Sequence, residues 1–271
     1  MVEKQLRTRT TLKWREGALT SRGDSVATEE PLEIRLGGQR FTLTMRTPGH
    51  DEELCAGFLF GEGFINSRAE LGEVRSVRGP RGEPEPNALD VVLAVAADGL
   101  RERLKRNFAV TASCGICGKT SIDAIRRRIE PPRGNAAIGA QILLALASRM
   151  RAAQEVFAAT GGLHAAALFD LDGRLRAIRE DVGRHNAVDK LVGWGLMNEL
   201  IPFARSVMTV SGRLSFEIVQ KAAAAGVPIL AAVSAPSSLA VELAEEAGTT
   251  LVGFLGDSSF NVYAHPARVL P

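Results

Sequence analysis

The sequence predicts an α/β protein in which a three-layer α/β/α C-terminal domain follows a smaller α+β N-terminal region. Helical and strand patterns alternate from residue 184 to residue 254, as they do where helices cover a sheet. The strands at 206–210 and 228–233 are apolar on both faces, which is typical of buried parallel strands. Before residue 134, short strands with period-two alternation predict the separate α+β region.

The N-terminal elements are predicted to begin after a polar arm at residues 1–20, and the region itself spans residues 21–133. Residues 32–36 and 40–45 alternate with period two around Gly37-Gly38, which predicts a β-hairpin. A helix is expected to begin at Asp51, because acidic side chains are favourable in a first helical turn. A loop rich in proline and glycine and a strand at 88–95 follow.

The C-terminal domain, residues 134–271, is predicted to start after the helix-breaking run Pro131-Pro132-Arg133-Gly134. Apolar residues at helical spacing between 138 and 157 predict one long helix, which Gly161-Gly162 ends. A hairpin is predicted from residues 163–169 and 174–179. The remaining predicted elements are helices at 184–197, 213–225 and 237–247 and strands at 206–210, 228–233 and 249–254.

Composition and charge exclude several classes of protein. The chain has 271 residues, of which 45% are hydrophobic and 24% charged, as in ordinary globular proteins. No apolar run is long enough to span a bilayer, and the basic start lacks a signal-peptide pattern. We therefore expect a cytoplasmic protein with reduced thiols and no membrane partner. A net charge of +2 and few aromatic residues argue against a nucleic-acid partner.

The strongest chemical signal is a pair of cysteines, Cys114 and Cys117, in a glycine-rich loop at residues 113–119. The glycines keep this loop flexible. Cys117 precedes a predicted helix at 122–129, and a helix N-terminus and the nearby Lys119 both favour the thiolate form. The pattern predicts a reactive dithiol for sulfur transfer, redox exchange or metal ligation. The alternative, two small buried residues, is disfavoured because so many glycines would pack poorly.

Two other uses of a dithiol are weighed against sulfur transfer. Structural zinc needs four ligands, and Cys55 and the histidines would complete a site only by distant convergence, so we expect no zinc. His50-Asp51-Glu52 with the two cysteines mimics the zinc-deaminase signature, but Ser113 stands where that signature has proline. A thioredoxin-like oxidoreductase would carry its motif near the start of a βαβ unit, and here about a hundred residues precede it.

Candidate ligand-binding residues gather at the predicted carboxyl ends of the C-terminal strands. Residues 179–190 mix acid, base, histidine and asparagine between a strand and a helix. Two strand-to-helix turns, at 210–215 and 233–238, place hydroxyl groups and free amides where phosphate binds. The sequence thus indicates a nucleotide or a phosphorylated cofactor. The candidate binding residues are Arg184, His185, Ser211, Gly212, Arg213 and Ser234.

Taken together, these motifs resemble the FdhD family, the formate dehydrogenase accessory sulfurtransferases. The resemblance implies a sulfur carrier acting between a cysteine desulfurase and molybdenum (or tungsten) bis(molybdopterin guanine dinucleotide), bound as a substrate, before that cofactor enters formate dehydrogenase. It also implies a homodimer and a cytidine-deaminase-like fold without the deaminase zinc site. The matching segments are residues 45–54, 56–60, 113–119, 157–166, 179–190, 211–217, 225–228, 234–236 and 261–263.

The resemblance also implies roles for individual residues. Cys114 is expected to carry the persulfide, and Cys117 to assist its transfer. Gly256-Asp257 stands where relatives have an Arg-Gly pair, so this segment has lost a cation beside an anionic cofactor. A cofactor chaperone in which the cysteines are incidental is the alternative function. The implied cofactor-binding segment is Phe254, Leu255, Gly256, Asp257, Ser258 and Ser259.

Overall fold

The computed structural model describes residues 2–79, 81–94, 129–132 and 134–271. The predicted dithiol loop, residues 113–119, and the predicted helix up to residue 128 lie outside these residues. No helix within the described ranges is both long enough and apolar enough to cross a membrane. The α-helices are α1 (Val2–Gln5), α2 (Asp51–Glu62), α3 (Ala140–Ala152), α4 (Glu155–Thr160), α5 (Arg184–Met197), α6 (Phe216–Ala224) and α7 (Ser238–Ala247).

The strands form a mixed α/β fold with the helices. The N-terminal strands are β1 (Leu6–Arg15), β2 (Ala18–Ala27), β3 (Glu30–Leu36), β4 (Gln39–Arg46), β5 (Leu71–Arg78) and β6 (Pro84–Leu93). The C-terminal strands are β7 (Ile138–Gly139), β8 (His164–Asp170), β9 (Leu175–Asp181), β10 (Ser206–Val210), β11 (Ile229–Ala232), β12 (Thr250–Gly253), β13 (Asn261–Ala264) and β14 (Val269–Leu270).

The C-terminal sheet has the strand order β13-β12-β11-β10-β8-β9. Strands β10, β11 and β12 pair in parallel, as their apolar sequences predict, and β8 and β9 form the predicted antiparallel hairpin. Alternate side chains of the central strands belong to two separate core clusters. Met208 and Leu230 pack in the cluster that includes α5, α6 and α7, whereas Val207 and Ile229 pack in the cluster that includes α3. The sheet is therefore buried on both faces.

The predicted long helix at 138–157 is wrong in one respect, because the chain forms two helices there. Helix α3 ends at Ala152, and α4 begins at Glu155. The carboxylate of Glu180 on β9 accepts hydrogen bonds from the amides of Val156 (3.0 Å) and Phe157 (2.8 Å). The first amides of a helix lack partners within the helix, so this distant carboxylate stabilises a new helix start.

The first residues form a folded ribbon, whereas the sequence predicted only a polar arm. Strands β1 and β2 pair antiparallel over their full length, so the predicted boundary at residue 20 falls inside β2. The following strands form a sheet in the order β4-β3-β6-β5, and β3 and β4 confirm the predicted hairpin. Helix α2 begins at Asp51 as predicted.

The N-terminal and C-terminal regions meet where α2 crosses α5. A Cβ atom on Gly57 would lie 1.8 Å from the Asp189 carbonyl oxygen, and one on Gly193 would lie 1.8 Å from the Glu53 carbonyl oxygen. The two backbones therefore touch, and only glycine fits at these positions. Leu54 and Leu191 belong to the same core cluster. The predicted boundary near residue 133 thus lies between two regions that share one hydrophobic core.

Candidate functional site at the carboxyl edge of the sheet

The two turns that follow β10 and β11 lie side by side at the carboxyl edge of the C-terminal sheet. The amide of Leu214 donates to the Ala235 carbonyl (3.1 Å), and the amide of Ser237 donates to the Leu214 carbonyl (3.0 Å). Ser211 contacts the start of β8, which runs antiparallel to β10, and its Oγ accepts a hydrogen bond from the amide of Ala165 at 2.8 Å. The turns that the sequence nominated separately therefore form one continuous edge.

Gly212 lies against two basic side chains, those of His164 and Arg184. A Cβ atom at this position would lie 3.4 Å from Nδ1 of His164 and 3.5 Å from Cβ of Arg184. Nε of Arg184 is buried and has no hydrogen-bond partner among the residues that the structure describes. The structure thus adds His164 to the site. The sequence placed His164 in the segment 157–166 but gave it no role there, and it is the first residue of β8.

The imidazole of His164 lies in an electropositive environment. Burial lowers the pKa of His164, and the positive charge of Arg184 lowers it further, opposed only by the carboxylate of Asp181. A neutral imidazole has one donor and one acceptor nitrogen, so it can hydrogen-bond a ligand in either sense. The positive charge of Arg184, which adds to the effect of burial, also favours a negatively charged ligand beside the ring.

His185 is held by the start of α6. Its Nε2 lies 2.9 Å from Oε2 of Glu217 and 3.3 Å from Oγ of Ser215. These contacts fix the orientation of the ring. The contacts of His185 therefore connect the start of α5 to the start of α6.

The Asp181–Lys190 ion pair is fully buried beneath this edge, with Nζ 2.7 Å from Oδ2 and both side chains at 0% exposure. The second carboxylate oxygen accepts hydrogen bonds from the Gly183 amide (2.8 Å) and from Nδ2 of Asn186 (3.0 Å). Lys190 also donates to the Thr47 carbonyl at 2.8 Å. The pair therefore fixes the start of α5 against the loop that precedes α2.

The segment at 45–54 is held by ion pairs. Arg46 binds Asp51 through two hydrogen bonds, of 3.0 and 2.9 Å. Nη2 of Arg179 donates to Glu53 at 2.7 Å, and Nδ1 of His50 lies 3.2 Å from the same carboxylate. Burial raises the pKa of Glu53, but Arg179 and His50 outweigh it and hold that pKa below its ordinary value. The histidine of the deaminase-like motif thus contacts a structural carboxylate.

The described ranges contain no group of three or more His, Cys, Asp or Glu side chains arranged to hold a metal ion. Cys55 is a free, buried cysteine of α2. Burial raises the pKa of its thiol well above the ordinary range, and the carboxylates of Asp51 and Glu52 raise it further. A thiol that stays protonated is neither a nucleophile nor a metal ligand. Cys114, Cys117 and Lys119 lie outside the described residues.

The segment from Phe254 to Ser259 follows β12 and runs next to the Ser234 turn. The amide of Phe254 donates to the Ser234 carbonyl at 3.2 Å, and the amide of Gly256 donates to the Ser259 carbonyl at 3.0 Å. Phe254 has a φ of 53° and is half exposed, an unusual combination for an aromatic residue. The side chain of Leu255, in contrast, is buried in the core, and its amide donates to the Ala232 carbonyl at 2.9 Å.

Most of the residues that the sequence predicted to bind a ligand therefore lie at this edge. Gly212 and Arg184 meet at His164, and Ser234 lies beside Phe254. The side chains of Arg213, Asp257, Ser258 and Ser259 are exposed. Hydroxyl and guanidinium groups at one sheet edge are groups that can bind phosphorylated ligands. The fold is that of an α/β protein, and the residues nominated for ligand binding lie at the carboxyl ends of its parallel strands, where ligands bind in open α/β sheets.

Comparison with known proteins gives the family. The model of the FdhD/NarQ family matches residues 27–270. The chain is 50% identical over 257 residues to a protein of Mycolicibacterium paratuberculosis named sulfur carrier protein FdhD, covering 93% of this chain and 94% of that protein. A protein of the same name from Sulfolobus acidocaldarius is 43% identical over 257 residues, which cover 95% of this chain and 96% of that protein. The chain therefore belongs to the FdhD/NarQ family.

A solved structure supports the same assignment. The crystal structure of a putative formate dehydrogenase accessory protein from Desulfotalea psychrophila superposes with a TM-score of 0.76 at 26% sequence identity. It covers 98% of this chain and 100% of that one. The β1–β2 ribbon lies almost wholly before the residues that the family model matches.

Proposed function

We propose that this protein is a cytoplasmic sulfur carrier. It accepts persulfide sulfur from a cysteine desulfurase and delivers it to molybdenum (or tungsten) bis(molybdopterin guanine dinucleotide) for formate dehydrogenase. The observation that carries the proposal is the state of the cysteines within a family whose relatives are named sulfur carriers. Of the three cysteines, Cys55 is buried with a raised pKa. The sulfur must then travel on Cys114 or Cys117.

The first chemical step is thiol–persulfide exchange. The Cys114 thiolate attacks the terminal sulfur of the desulfurase persulfide, the sulfur–sulfur bond of that persulfide breaks, and the desulfurase thiolate leaves. The glycines beside Cys114 and Cys117 in the sequence suit this step, because glycine permits backbone conformations that other residues do not and the thiolate must reach into another protein. No net oxidation occurs, because one persulfide is exchanged for another.

The second step releases the sulfur. The Cys117 thiolate attacks the inner sulfur of the Cys114 persulfide, which forms a Cys114–Cys117 disulfide and expels hydrosulfide. The metal of the substrate cofactor takes that hydrosulfide as a ligand. A cellular dithiol reductant then returns the disulfide to two thiols, so atoms and electrons balance over the cycle.

The cofactor is proposed to lie along the carboxyl edge of the C-terminal sheet. Ser211, Gly212, Arg213 and Ser234 offer hydroxyls, amides and a cation to its phosphates, and Arg184 and the Phe254–Ser259 segment flank them. We further propose that the protein is a homodimer with the cytidine-deaminase-like layering. Helix packing on both faces of the sheet supports that layering.

The test of sulfur carriage is persulfide mapping by mass spectrometry after incubation with a cysteine desulfurase and cysteine. One added sulfur atom is expected on Cys114 of the unaltered protein and of the Cys55→Ala variant, and on no residue of Cys114→Ala. An adduct that persists in Cys114→Ala contradicts the assignment. A Cys114→Ala variant that still restores formate dehydrogenase would instead favour the chaperone function, in which the sheet edge only binds the cofactor.

A further inference from the structure

A cleft of about 320 Å3 opens beside the edge site, between the α3–α4 junction, the start of β8 and the ends of β10 and β11. Its polar lining is formed by Arg151, Gln154, His164 and Ser211, and Phe157 lies beside them. No carboxylate is among the described residues that line it. A cleft with donors and a cation but no negative group favours an anionic ligand.

Gln154 is the residue in this cleft that the fold does not account for. Its side chain is only 2% exposed, and its Nε2 has no hydrogen-bond partner among the described residues. The side chain does not cap α4, because the Glu180 carboxylate already accepts from the first amides of that helix. An unpaired buried donor is costly to folding, so the Nε2 group of Gln154 marks a place where a ligand or a water molecule would complete the hydrogen bonding.

The other polar side chains of the cleft, Arg151, Ser211 and His164, can also interact with an anion. The guanidinium of Arg151 stacks on the Phe157 ring with 4.0 Å between its carbon and the ring centroid, which orients the cation at the rim. The Ser211 hydroxyl accepts from the Ala165 amide and keeps its own proton to donate. His164 lies in the electropositive environment described above. Each of these groups can donate to, or attract, an oxyanion.

We propose that this cleft binds a phosphate group of an anionic ligand, with Gln154 as the buried donor and Arg151 as the counter-ion. The inference deepens the proposed function, and rests on it for the identity of the ligand, because Ser211 belongs to both sites. The diphosphate of a guanine dinucleotide is the source that the proposed function supplies. Free pyrophosphate has the same chemistry, and the two are distinguished by experiment.

The experiment is calorimetric titration of the full chain with guanosine diphosphate and, separately, with pyrophosphate. We expect both to bind, and Gln154→Leu and Arg151→Met each to weaken binding about tenfold or more, because each removes a hydrogen bond to a charged group. Gln141→Leu and Arg176→Met are the matched controls, since both residues are exposed and outside the cleft. Tighter binding of the nucleotide identifies it as the ligand, whereas equal affinities assign the cleft to the phosphate group alone.

A second measurement separates a binding role of Gln154 from a structural one. Gln154→Leu should unfold at a temperature no lower than the unaltered protein, because it removes an unpaired buried donor. Bound pyrophosphate should also raise the pKa of His164, followed by NMR. Unchanged affinity in Gln154→Leu, or no anion binding by the unaltered protein, overturns the inference. Persulfide mapping on Cys114 does not use this cleft, so failure of the inference and failure of sulfur carriage are distinguishable.

Discussion

At the scale of single residues, the site depends on charges that are buried and paired. Asp181 and Lys190 contact each other and also satisfy the backbone of the loop before α2. A buried ion pair contributes little compared with an apolar pair, but an unpaired member is strongly destabilising. These two residues therefore act in structure, as the framework that holds Arg184 and His185 at the sheet edge.

Removal of one partner of this pair tests that role. Lys190→Met should lower the free energy of unfolding by about 3–5 kcal/mol, because it leaves the Asp181 carboxylate buried without a counter-ion. Urea unfolding measures the loss. Lys13→Met at an exposed position of β1 is the control and should change stability by no more than about 0.5 kcal/mol. Equal stability of both variants would show that the pair is dispensable.

Glu53 predicts a pH dependence. The pKa of Glu53 is lower in the folded protein than its ordinary value of 4.5. The folded state therefore stabilises the ionised carboxylate, through its contacts with Arg179 and His50. The resulting stabilisation is present above the unfolded pKa and is lost as the pH falls through the folded pKa. The stability difference between the unaltered protein and Glu53→Gln should therefore be largest near pH 7 and shrink below about pH 4. A difference that stays constant across this range in urea unfolding contradicts the ion pair with Arg179.

At the scale of elements, contacts between residues far apart in the chain determine where some helices begin and end, and local sequence patterns do not show these contacts. Apolar periodicity runs through the α3–α4 junction, and the carboxylate that starts α4 comes from β9, 24 residues away in the chain. The β1–β2 ribbon was missed because arginine and threonine alternate along β1, and neither residue marks a buried face. The buried strands and α5 to α7 were predicted well, because their apolar patterns reflect their own burial.

The crossing of α2 and α5 provides the test at this scale. Gly57→Ala should destabilise the protein by several kcal/mol, because the added methyl group would overlap the Asp189 carbonyl and the helices must move apart. The gain in helix propensity, about 1 kcal/mol, is too small to offset this. Gly139→Ala is the control, since nothing lies within 4 Å of its added atom. Thermal unfolding of both variants should show a large drop for the first and little change for the second.

At the scale of the whole molecule, the fold brings together groups that lie far apart in the chain. The sequence nominated Arg184, Ser211 and Ser234 from the ends of different strands, and the sheet places those ends at one edge. It did not nominate His164, Arg151 or Gln154, because one histidine, arginine or glutamine carries no pattern until packing shows its neighbours. The sequence also could not predict the core shared by the N-terminal and C-terminal regions. The close contact at Gly57 and Gly193 depends on both helices, and neither helix alone indicates the other as its partner.

The central claim is that sulfur passes through Cys114 to the cofactor, and a radiolabelled sulfur chase tests it most directly. The protein is loaded with label from a cysteine desulfurase, separated from that enzyme, and mixed with molybdenum bis(molybdopterin guanine dinucleotide). We predict that label leaves Cys114 and appears in the cofactor, and that Cys114→Ala transfers none. Label that remains on the protein, or equal labelling of the cofactor by Cys114→Ala, would contradict the account.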